Sequence, residues 1–356
     1  MSNDWSRAPN HTQGSNTILI TGGAGFIGVN TACYFAERGW TVAVLDNLSR
    51  RGTEDNLGWL RERADIRFER ADIRDPAAMD RVVSNIRPDL LLHLAAQVAV
   101  TTSVTDPRED FEINALGTFN LLEAVRRLSP DSFFINAATN KVYGKMEEVG
   151  VVESNGRYEY RDLPGGVDEG QLLDFHSPYG CSKGAADQYT IDYSRIYGLK
   201  TVTFRQSCIY GTRQFGIEDQ GWVAWFTIAA VLGKPITIYG DGRQIRDVLQ
   251  VDDLARAYEA AYQHRDRASG QAFNIGGGPE NTLSLRELLG YLESELGIQI
   301  PLRWSDWRPG DQPVFVCNLH KADRLLDWRP RIPARDGVHQ LIQWVRDNLG
   351  LFGWLG

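Results

Sequence analysis

The amino-acid sequence predicts an α/β fold with a doubly wound parallel sheet and a smaller C-terminal α/β lobe. The first observation is a series of short apolar runs that we expect to form strands, at 17–21, 41–46, 66–71, 89–95, 132–138 and 200–207. The second is helical periodicity between those runs, at 76–86, 108–128 and 179–197. Strands that alternate with helices form parallel sheets with helices on both faces. Beyond about residue 211 the pattern loosens into helices and short strands, near 221–232, 236–239, 252–264, 272–275, 284–296 and 337–348.

The first predicted strand runs into a glycine-rich turn, Gly22-Gly-Ala-Gly25-Phe26-Ile-Gly28, and then into a helix that begins near Phe26. The three spaced glycines allow a tight turn, close approach of the backbone to a pyrophosphate, and packing of helix on strand. An ordinary glycine-rich turn is the alternative. Asp46 ends the second strand roughly 20 residues later, where a carboxylate meets the adenosine ribose of NAD. The sequence therefore predicts a Rossmann-type dinucleotide site.

The choice between NAD and NADP follows from charge. Asp46 would repel a 2′-phosphate, so NAD is favoured. Arg50 and Arg51 follow closely in sequence, and we expect them on an exposed loop.

Composition excludes several classes of protein. The 356 residues carry 38 basic and 46 acidic side chains, a net charge of −8, without a basic stripe, so no nucleic-acid partner is expected. No apolar run approaches the ~18 residues that span a membrane, so no membrane partner is expected either, and the polar segment 1–16 predicts a disordered tail. The four cysteines lack a C-x-x-C pair, which predicts reduced thiols in a cytoplasmic protein and no metal site; they are Cys33, Cys181, Cys208 and Cys317.

The catalytic candidates are Tyr179 and Lys183, which form Y-x-x-x-K on a predicted helix and project from one face of it. A free phenol titrates near ~10, and a neighbouring ammonium together with a nicotinamidium would favour the phenolate. Thr139, at the carboxyl end of a strand, can bond the substrate oxygen that Tyr179 deprotonates. If the Y-x-x-x-K spacing arose by chance, Tyr179 and Lys183 would lie on an exposed helix surface, and Thr139 would only cap its strand. The upstream glycine turn makes this the weaker interpretation.

Together these motifs resemble the extended short-chain dehydrogenase/reductase superfamily of nucleotide-sugar epimerases, dehydratases and decarboxylases. The resemblance rests on Gly22-x-x-Gly25-x-x-Gly28, Asp46-Asn-Leu, Asp72-Ile, His93-Leu-Ala-Ala-Gln97, Asn114, Thr139, Tyr179-x-x-x-Lys183 and Arg246-Asp-Val. Narrower stretches are similar to the CDP-paratose 2-epimerases, also called CDP-tyvelose 2-epimerases: Gln97-Val-Ala-Val-Thr-Thr-Ser103, Asp110-Phe-Glu-Ile-Asn114, Thr139-Asn-Lys-Val-Tyr-Gly144, the run from Asp174 to Tyr189, and Asp219-Gln-Gly-Trp222.

The resemblance implies the site residues. Thr139, Tyr179 and Lys183 carry over as the catalytic trio. The NAD site would comprise Tyr179 and Lys183 with Gly22, Gly25, Phe26, Ile27, Asp46, Asn47, Asp72, Ile73, Leu94, Ala95, Ala96 and Gln97. In such enzymes Asp72 reaches the adenine amine. The implied domains are an NAD-binding domain over 17–210 and, over 211–356, a lobe that mainly binds the nucleotide sugar, with some strands returning to the main sheet.

The substrate-side candidates divide by the part of a nucleoside-diphosphate sugar that each would hold. The sugar candidates are Gln97, Thr102, Asn140 and Lys141. The diphosphate candidates are Arg246, Arg308 and Arg213, since arginine forks suit phosphates; the alternative is a surface salt bridge, above all for Arg213. Trp222 and Tyr239 are candidates for the base, or else core aromatics. Cys208 stands where 4-epimerases commonly have the Asn of Arg-x-x-Asn.

The predicted reaction is inversion of a sugar carbon, most plausibly C2 of a CDP-deoxyhexose, by oxidation to a keto sugar and return of the hydride to the other face. Dehydratases of this superfamily carry two carboxyl residues after the Ser/Thr, whereas this chain has Asn140 and Lys141. The alternatives are a 4-epimerase, a decarboxylase that uses Lys141 or Arg213 for a sugar carboxylate, and a non-catalytic NAD-binding regulatory protein.

Two further expectations concern surfaces. The acidic, glycine-rich segment 145–178 is expected to be a long loop that covers the substrate as a lid, or else a solvated excursion. The helices at 108–128 and 179–197 would form a four-helix contact in a homodimer or higher homo-oligomer, although their apolar stripes suit an intramolecular core equally well.

Overall fold

The structure is a computed structural model that describes residues 15–308 and 312–355. The predicted tail over 1–16 therefore lies, except for its last two residues, outside the described residues. No described helix is long and apolar enough to cross a membrane.

The elements follow one another in α/β order along most of the chain. The strands are β1 (Thr17–Thr21), β2 (Thr41–Asp46), β3 (Ile66–Arg70), β4 (Leu90–His93), β5 (Phe133–Thr139), β6 (Val151–Ser154), β7 (Arg157–Tyr160), β8 (Thr201–Gln206), β9 (Cys208–Tyr210), β10 (Ile236–Tyr239), β11 (Ile245–Gln250), β12 (Gln271–Ile275), β13 (Thr282–Ser284), β14 (Leu302–Ser305) and β15 (Val314–Phe315). The helices are α1 (Phe26–Ala36), α2 (Thr53–Arg61), α3 (Pro76–Ile86), α4 (Val100–Thr105), α5 (Pro107–Phe111), α6 (Gly117–Leu128), α7 (Ser177–Tyr197), α8 (Trp222–Val231), α9 (Val251–Gln263), α10 (Arg265–Ala268), α11 (Leu285–Leu296), α12 (His320–Leu326) and α13 (Ala334–Asp347).

Seven parallel strands form the main sheet, in the order β3-β2-β1-β4-β5-β8-β12. One face packs against α1, α9 and α12 around an apolar core that includes Phe35 and Leu254. The other face packs against α3, α6 and α7, with Val82 and Leu121 in its core. The predicted doubly wound Rossmann-type sheet is therefore confirmed. The strand order reverses between β1 and β4, and a ligand crevice opens at such a point, outside the carboxyl ends of the strands.

A second group of elements lies against that crevice. Strand β11 pairs with β9 and β15 in parallel and with β13 antiparallel, and β10 pairs with β14. Helices α8, α11 and α13 cover these strands around a separate core that includes Phe226, Leu292 and Leu341. Strand β12 and helix α9, although late in the chain, belong to the main sheet and its core.

The segment 145–178 contains a docked β-hairpin rather than only a long loop. Strands β6 and β7 pair antiparallel across Asn155 and Gly156, which have φ values of 53° and 80°. Asn-Gly with positive φ at both positions is the type I′ turn of a tight hairpin. Tyr158 donates its hydroxyl proton to Asp241 Oδ2 at 2.7 Å, and Tyr160 donates to the Val314 carbonyl at 2.9 Å. The hairpin is therefore fixed to the second group of elements.

The predicted helix at 108–128 is interrupted. It consists of α5, a π-helical turn at Glu112–Leu116, and α6. The extra residue of a π-turn changes the direction of side chains, and such turns are frequent at functional sites. Here the turn places the buried Asn114 amide toward helix α7, where it lies 3.2 Å from Ser182 Oγ.

Candidate functional site

The glycine turn between β1 and α1 leaves a cradle of exposed backbone. Gly22 has a φ of 67°, and a Cβ there would lie 2.7 Å from the Ala95 nitrogen. A Cβ on Gly28 would lie 2.5 Å from the Gly22 oxygen, so helix and turn are in backbone contact. Gly25 caps α1 without a side-chain hydrogen bond, which leaves the amides of Phe26 and Ile27 at a helix start. This geometry suits a diphosphate, because free amides and the helix dipole favour an anion.

Two carboxylates mark one end of this cradle. Asp46 accepts hydrogen bonds from the backbone amides of Ala24, at 3.0 Å, and Leu48, at 2.8 Å, and burial raises its pKa. Asp72 is held by Asn47 and by a bidentate contact from Arg74, and the Arg74 hydrogen bonds lower the pKa of Asp72 to about 2. Ile73 is buried beside them. The predicted adenosine-side residues thus come together, with Asp72 ionised.

The segment from Leu94 to Gln97 forms the opposite wall of the cradle. The Leu94 amide donates to the Thr21 carbonyl at 3.0 Å, and Ala95 faces Gly22, so Leu94 and Ala95 line the turn, and Ala96 follows them in the chain. The Gln97 amide nitrogen Nε2 donates to Ala99 O at 2.8 Å and to Asp110 Oδ1 at 3.1 Å. The structure therefore directs the Gln97 side chain into a network behind the crevice.

Thr139, Tyr179 and Lys183 lie together at the carboxyl edge of the sheet. Thr139 is the last residue of β5, and a side-chain hydrogen bond joins it to Tyr179 in the first turns of α7. The Lys183 ammonium, one turn further along α7, donates to the Ala137 carbonyl. All three side chains are more than nine-tenths buried. The Y-x-x-x-K spacing thus places both groups against the same strand.

The protonation states of this group depend first on burial. Burial raises the pKa of Tyr179 to about 12; the Thr139 hydrogen bond and the Arg50 charge lower it, and Asp110 raises it. Burial lowers the pKa of Lys183 to about 8, against the charges of Asp187 and Asp110. Loss of hydration is therefore the largest influence on Tyr179, and the expectation that an ammonium together with a nicotinamidium favours the phenolate stays a prediction.

The sequence analysis missed several residues that support this site. Asp110, Asn114 and Ser182 form a buried hydrogen-bonded cluster behind Tyr179. His93 bridges Thr21 and Thr118 by hydrogen bonds of 2.7 and 2.9 Å, and burial lowers its pKa to about 3, so it is neutral. The stretches Asp110-Phe-Glu-Ile-Asn114 and His93-Leu-Ala-Ala-Gln97 were the available signals, although neither indicates which atoms meet.

Arg50 lies on an exposed loop, as expected, and it also reaches the crevice. Its side chain is exposed but donates a hydrogen bond to Gln220 Oε1 from across the crevice, and its charge acts on both Asp46 and Tyr179. Arg51 lies over the Trp354 ring at 4.3 Å.

On the substrate side, three candidates lie close to a fourth, the thiol of Cys208: they are Arg246, Lys141 and Trp222. Burial raises the pKa of Cys208 most strongly, the charges of Arg246 and Lys141 lower it, and Trp222 lies near the sulfur. Asn140 lies beside them, with its Oδ1 3.3 Å from Thr139 Oγ1. Two cationic side chains, Lys141 and Arg246, therefore lie near Cys208 on the substrate side.

The remaining substrate candidates lie in different surroundings. Arg308 lies over the Tyr239 ring at 4.0 Å and donates to Asp219 Oδ1 at 2.9 Å, so this predicted pair is brought together. Arg213 lies 4.7 Å from the Trp59 ring and 6.0 Å from the Trp344 ring, in a buried cage, and the described contacts give it no link to Tyr179. Thr102 is exposed on the short helix α4.

The sheet, the glycine cradle and the Tyr179–Lys183 helix define an extended-type short-chain dehydrogenase/reductase. The match to a protein family is narrower: residues 19–341 match the family described as GDP-mannose 4,6 dehydratase, and the chain belongs to this family. The resemblance drawn from the motifs is thereby confirmed.

Individual relatives are similar over nearly the whole chain. The CDP-paratose 2-epimerase of Salmonella typhi is 47% identical over 333 residues, 92% of this chain and 98% of that protein. The structure of a UDP-glucose 4-epimerase with UDP-glucose, from Thermotoga maritima, has a TM-score of 0.81 and 31% identity over 94% of this chain and 99% of that chain. A dTDP-glucose 4,6-dehydratase from Streptomyces venezuelae, solved with NAD bound, has a TM-score of 0.81 and 28% identity over 96% of this chain and 100% of that chain.

Proposed function

We propose that this chain is an NAD-dependent epimerase that inverts C2 of a CDP-linked deoxyhexose through a transient keto sugar. The observation that carries the proposal is the hydrogen-bonded pair of Thr139 and Tyr179 beside Lys183, in a chain 47% identical to a CDP-paratose 2-epimerase. Intact catalytic hydroxyls and ammonium argue against a purely regulatory NAD-binding protein.

The described residues fit NAD as the cofactor. The glycine turn, where a Cβ on Gly22 would collide with the Ala95 backbone, and the uncapped start of α1 suit its diphosphate. The Asp46 carboxylate, held by the Ala24 and Leu48 amides, suits ribose hydroxyls and would repel a 2′-phosphate. NAD, when bound, supplies a reversible hydride acceptor, so oxidation and reduction of the sugar need no second redox substrate.

The side chains of this chain handle the proton. Tyr179 takes the proton of the sugar hydroxyl, and Thr139, bonded to Tyr179, orients the same oxygen. Because burial raises the pKa of Tyr179 to about 12, positive charge near the phenol is needed for this step at neutral pH. Arg50 is the cation whose charge acts on Tyr179, and Lys183 lies one turn further along the same helix. When the sugar is reduced again, Tyr179 returns the proton.

The residues after Thr139 favour epimerisation over the dehydration named in the family description. Elimination of water from a sugar requires an acid for the departing hydroxyl and a base for the adjacent carbon. Asn140 and Lys141 provide an amide and a cation at these places, and Asn140 is buried. The chain therefore lacks the carboxyl pair expected for dehydration at these two positions.

The proposed substrate lies between the two groups of elements. We assign Lys141 and Asn140 to the sugar, Arg246 and Arg308 to the diphosphate, and Trp222 and Tyr239 to the base. The support for this assignment is that the charges of Lys141 and Arg246 both act on Cys208, near Trp222. Arg213 has a different role in this proposal: its cation lies against Trp59 and Trp344 and joins α2 to α13.

The assembly that we propose is a homodimer through α6 and α7. These helices expose large apolar side chains side by side: Phe119 and Tyr189 have ring centroids 5.9 Å apart, and Ile196 and Tyr197 are 62% and 53% exposed. Exposed apolar patches of this kind mark interfaces. We also propose a cytoplasmic location, where the free cysteines would remain reduced.

The proposal is tested by incubating the protein with CDP-, UDP-, GDP- and dTDP-sugars in deuterated water and analysing the products by NMR. We expect inversion at C2 of a CDP-deoxyhexose without deuterium at the inverted carbon. Tyr179→Phe should retain NAD and lose turnover, whereas Tyr197→Phe, on the exposed end of the same helix, should retain both.

Each other outcome contradicts a part of the proposal. Deuterium at the inverted carbon would indicate enolisation, inversion at C4 a 4-epimerase, and loss of carbon dioxide a decarboxylase. If no nucleotide sugar is converted while NAD is bound, the protein is a regulatory NAD-binding protein.

A further inference from the structure

Asp110 is a buried carboxylate directly behind the catalytic helix. It lies in α5, and its side chain is wholly inaccessible to solvent. Oδ2 accepts a hydrogen bond from Ser182 Oγ at 2.5 Å, and Oδ1 accepts from Gln97 Nε2 and Asn114 Nδ2, both at 3.1 Å. A carboxylate without water is costly unless hydrogen bonds and a cation compensate. The three hydrogen bonds are present, so a compensating cation is expected close to the carboxylate.

The cation that compensates Asp110 is Lys183. The Lys183 charge lowers the pKa of Asp110 against the effect of burial, and Asp110 raises the pKa of Lys183. Asp110 also disfavours ionisation of Tyr179. One carboxylate therefore interacts with both members of the Y-x-x-x-K pair.

Other charged or titratable groups face the same pair from neighbouring elements. Arg50, from the loop after β2, acts on Tyr179, and Asp187, further along α7, acts on Lys183. Asp187 is itself paired with Arg205 of β8 at 2.9 Å. His93 of β4 is neutral, because burial lowers its pKa to about 3. Asp110 is distinct in acting on both Tyr179 and Lys183.

We propose that Asp110 is a positioning residue whose carboxylate orients Gln97, Asn114 and Ser182 and sets the charge balance of the Tyr179–Lys183 pair. Its negative charge retains the proton on Lys183 and delays loss of the proton from Tyr179. Phenolate then forms only when further positive charge reaches the phenol, which limits unproductive ionisation. This inference rests on the proposed function, since the pair matters as the proton-transferring group of the epimerase.

Asp110→Asn removes this charge with little change of shape. The new Oδ1 can still accept from Gln97 and Asn114. The new Nδ2 can donate to Ser182 Oγ, which in turn can donate to the Tyr179 carbonyl, already 3.2 Å away. Each of the three partners of Asp110 then keeps a hydrogen bond, so a changed proton balance reports charge rather than a broken network. Ser182→Ala is the matched control, because it removes one hydrogen bond to Asp110 and retains the charge.

The experiment measures the pH dependence of kcat for wild type, Asp110→Asn and Ser182→Ala. We expect both limbs of the bell-shaped profile to move to lower pH in Asp110→Asn, by about one pH unit for the acid limb. The lost carboxylate opposes ionisation of the Tyr179 phenol and stabilises the protonated form of Lys183, so its removal lowers both pKa values. The limbs of Ser182→Ala should stay in place even if its rate falls. Unmoved limbs in Asp110→Asn, with only a lower rate, would overturn the proposal and leave Asp110 a structural residue.

A second measurement is independent of turnover. In NAD-loaded protein with ¹³Cζ-labelled tyrosine, the Tyr179 resonance, assigned by its loss in Tyr179→Phe, should titrate at lower pH in Asp110→Asn than in wild type. An unchanged titration overturns the proposal whether or not a sugar substrate is found, so the two proposals fail separately. If Asp110→Asn does not fold, Asp110→Ser removes the same charge and must show the same shift.

Discussion

Gly28→Ala tests the backbone contact on which the cofactor cradle depends. Alanine in a helix interior is more favourable than glycine by about 0.5–1 kcal/mol. At Gly28, however, the new Cβ would lie 2.5 Å from the Gly22 oxygen and 2.5 Å from the Gly23 Cα. Overpacking costs about 1–3 kcal/mol, and the contacted atoms are backbone that cannot rotate away. We therefore expect a net loss of about 1–2 kcal/mol and a shift of the turn that carries the diphosphate.

Gly58→Ala is the matched control. Gly58 lies inside α2, and a Cβ there would meet nothing within 4 Å. This variant should gain about 0.5–1 kcal/mol and bind NAD as wild type does. The assays are the melting temperature and calorimetric titration of cofactor-free protein with NAD. Gly28→Ala should melt below wild type and lose at least about tenfold in affinity, which is about 1.4 kcal/mol. If it melts as high as Gly58→Ala and binds NAD normally, the close contact of helix and turn is not what shapes the cradle.

Three further predictions concern titratable or charged side chains. Asp187→Asn should cost about 3–5 kcal/mol in the free energy of unfolding, measured with urea, because it leaves the buried Arg205 without its ion-pair partner; an unchanged midpoint would refute this. His93→Asn should flatten the loss of melting temperature between about pH 6.5 and 4, since the neutral His93, with its pKa lowered to about 3, stabilises the fold above its unfolded pKa and loses that contribution as the pH falls; equal slopes would contradict it. Arg50→Met should move the acid limb of the kcat profile to higher pH, because the Arg50 charge lowers the pKa of Tyr179; an unmoved limb would show that the charge does not reach the phenol.

Much of the main sheet could be predicted from the sequence, because most of its strands are buried. The runs at 17–21 and 41–46 coincide with β1 and β2, and the helix at 76–86 with α3. The hairpin at 151–160 was not predicted, although Asn155-Gly156 is a strong turn signal. Its strands are short and largely exposed, so they carry little hydrophobic signal. The elements that fix them, around β11 and β15, lie far away in the sequence.

The site could be predicted as motifs but not as contacts. Tyr179 and Lys183 share a helical face by their spacing alone, and Thr139 follows a recognisable strand. The contact between Gln97 and Asp110 could not be predicted from periodicity. It depends on a short helix that carries Asp110 and on a π-turn that carries Asn114, and both bring their side chains close to Gln97. Arg213 shows the opposite case: arginine near a crevice suggests a phosphate ligand, yet two tryptophans from distant elements enclose it.

The central claim is that the hydrogen removed from the sugar carbon returns to the same carbon from the opposite side. The most direct measurement uses a CDP-deoxyhexose deuterated at C2, converted in ordinary water and followed by NMR. The account predicts that the inverted product retains its deuterium at C2. Replacement of that deuterium by hydrogen from the solvent would contradict it.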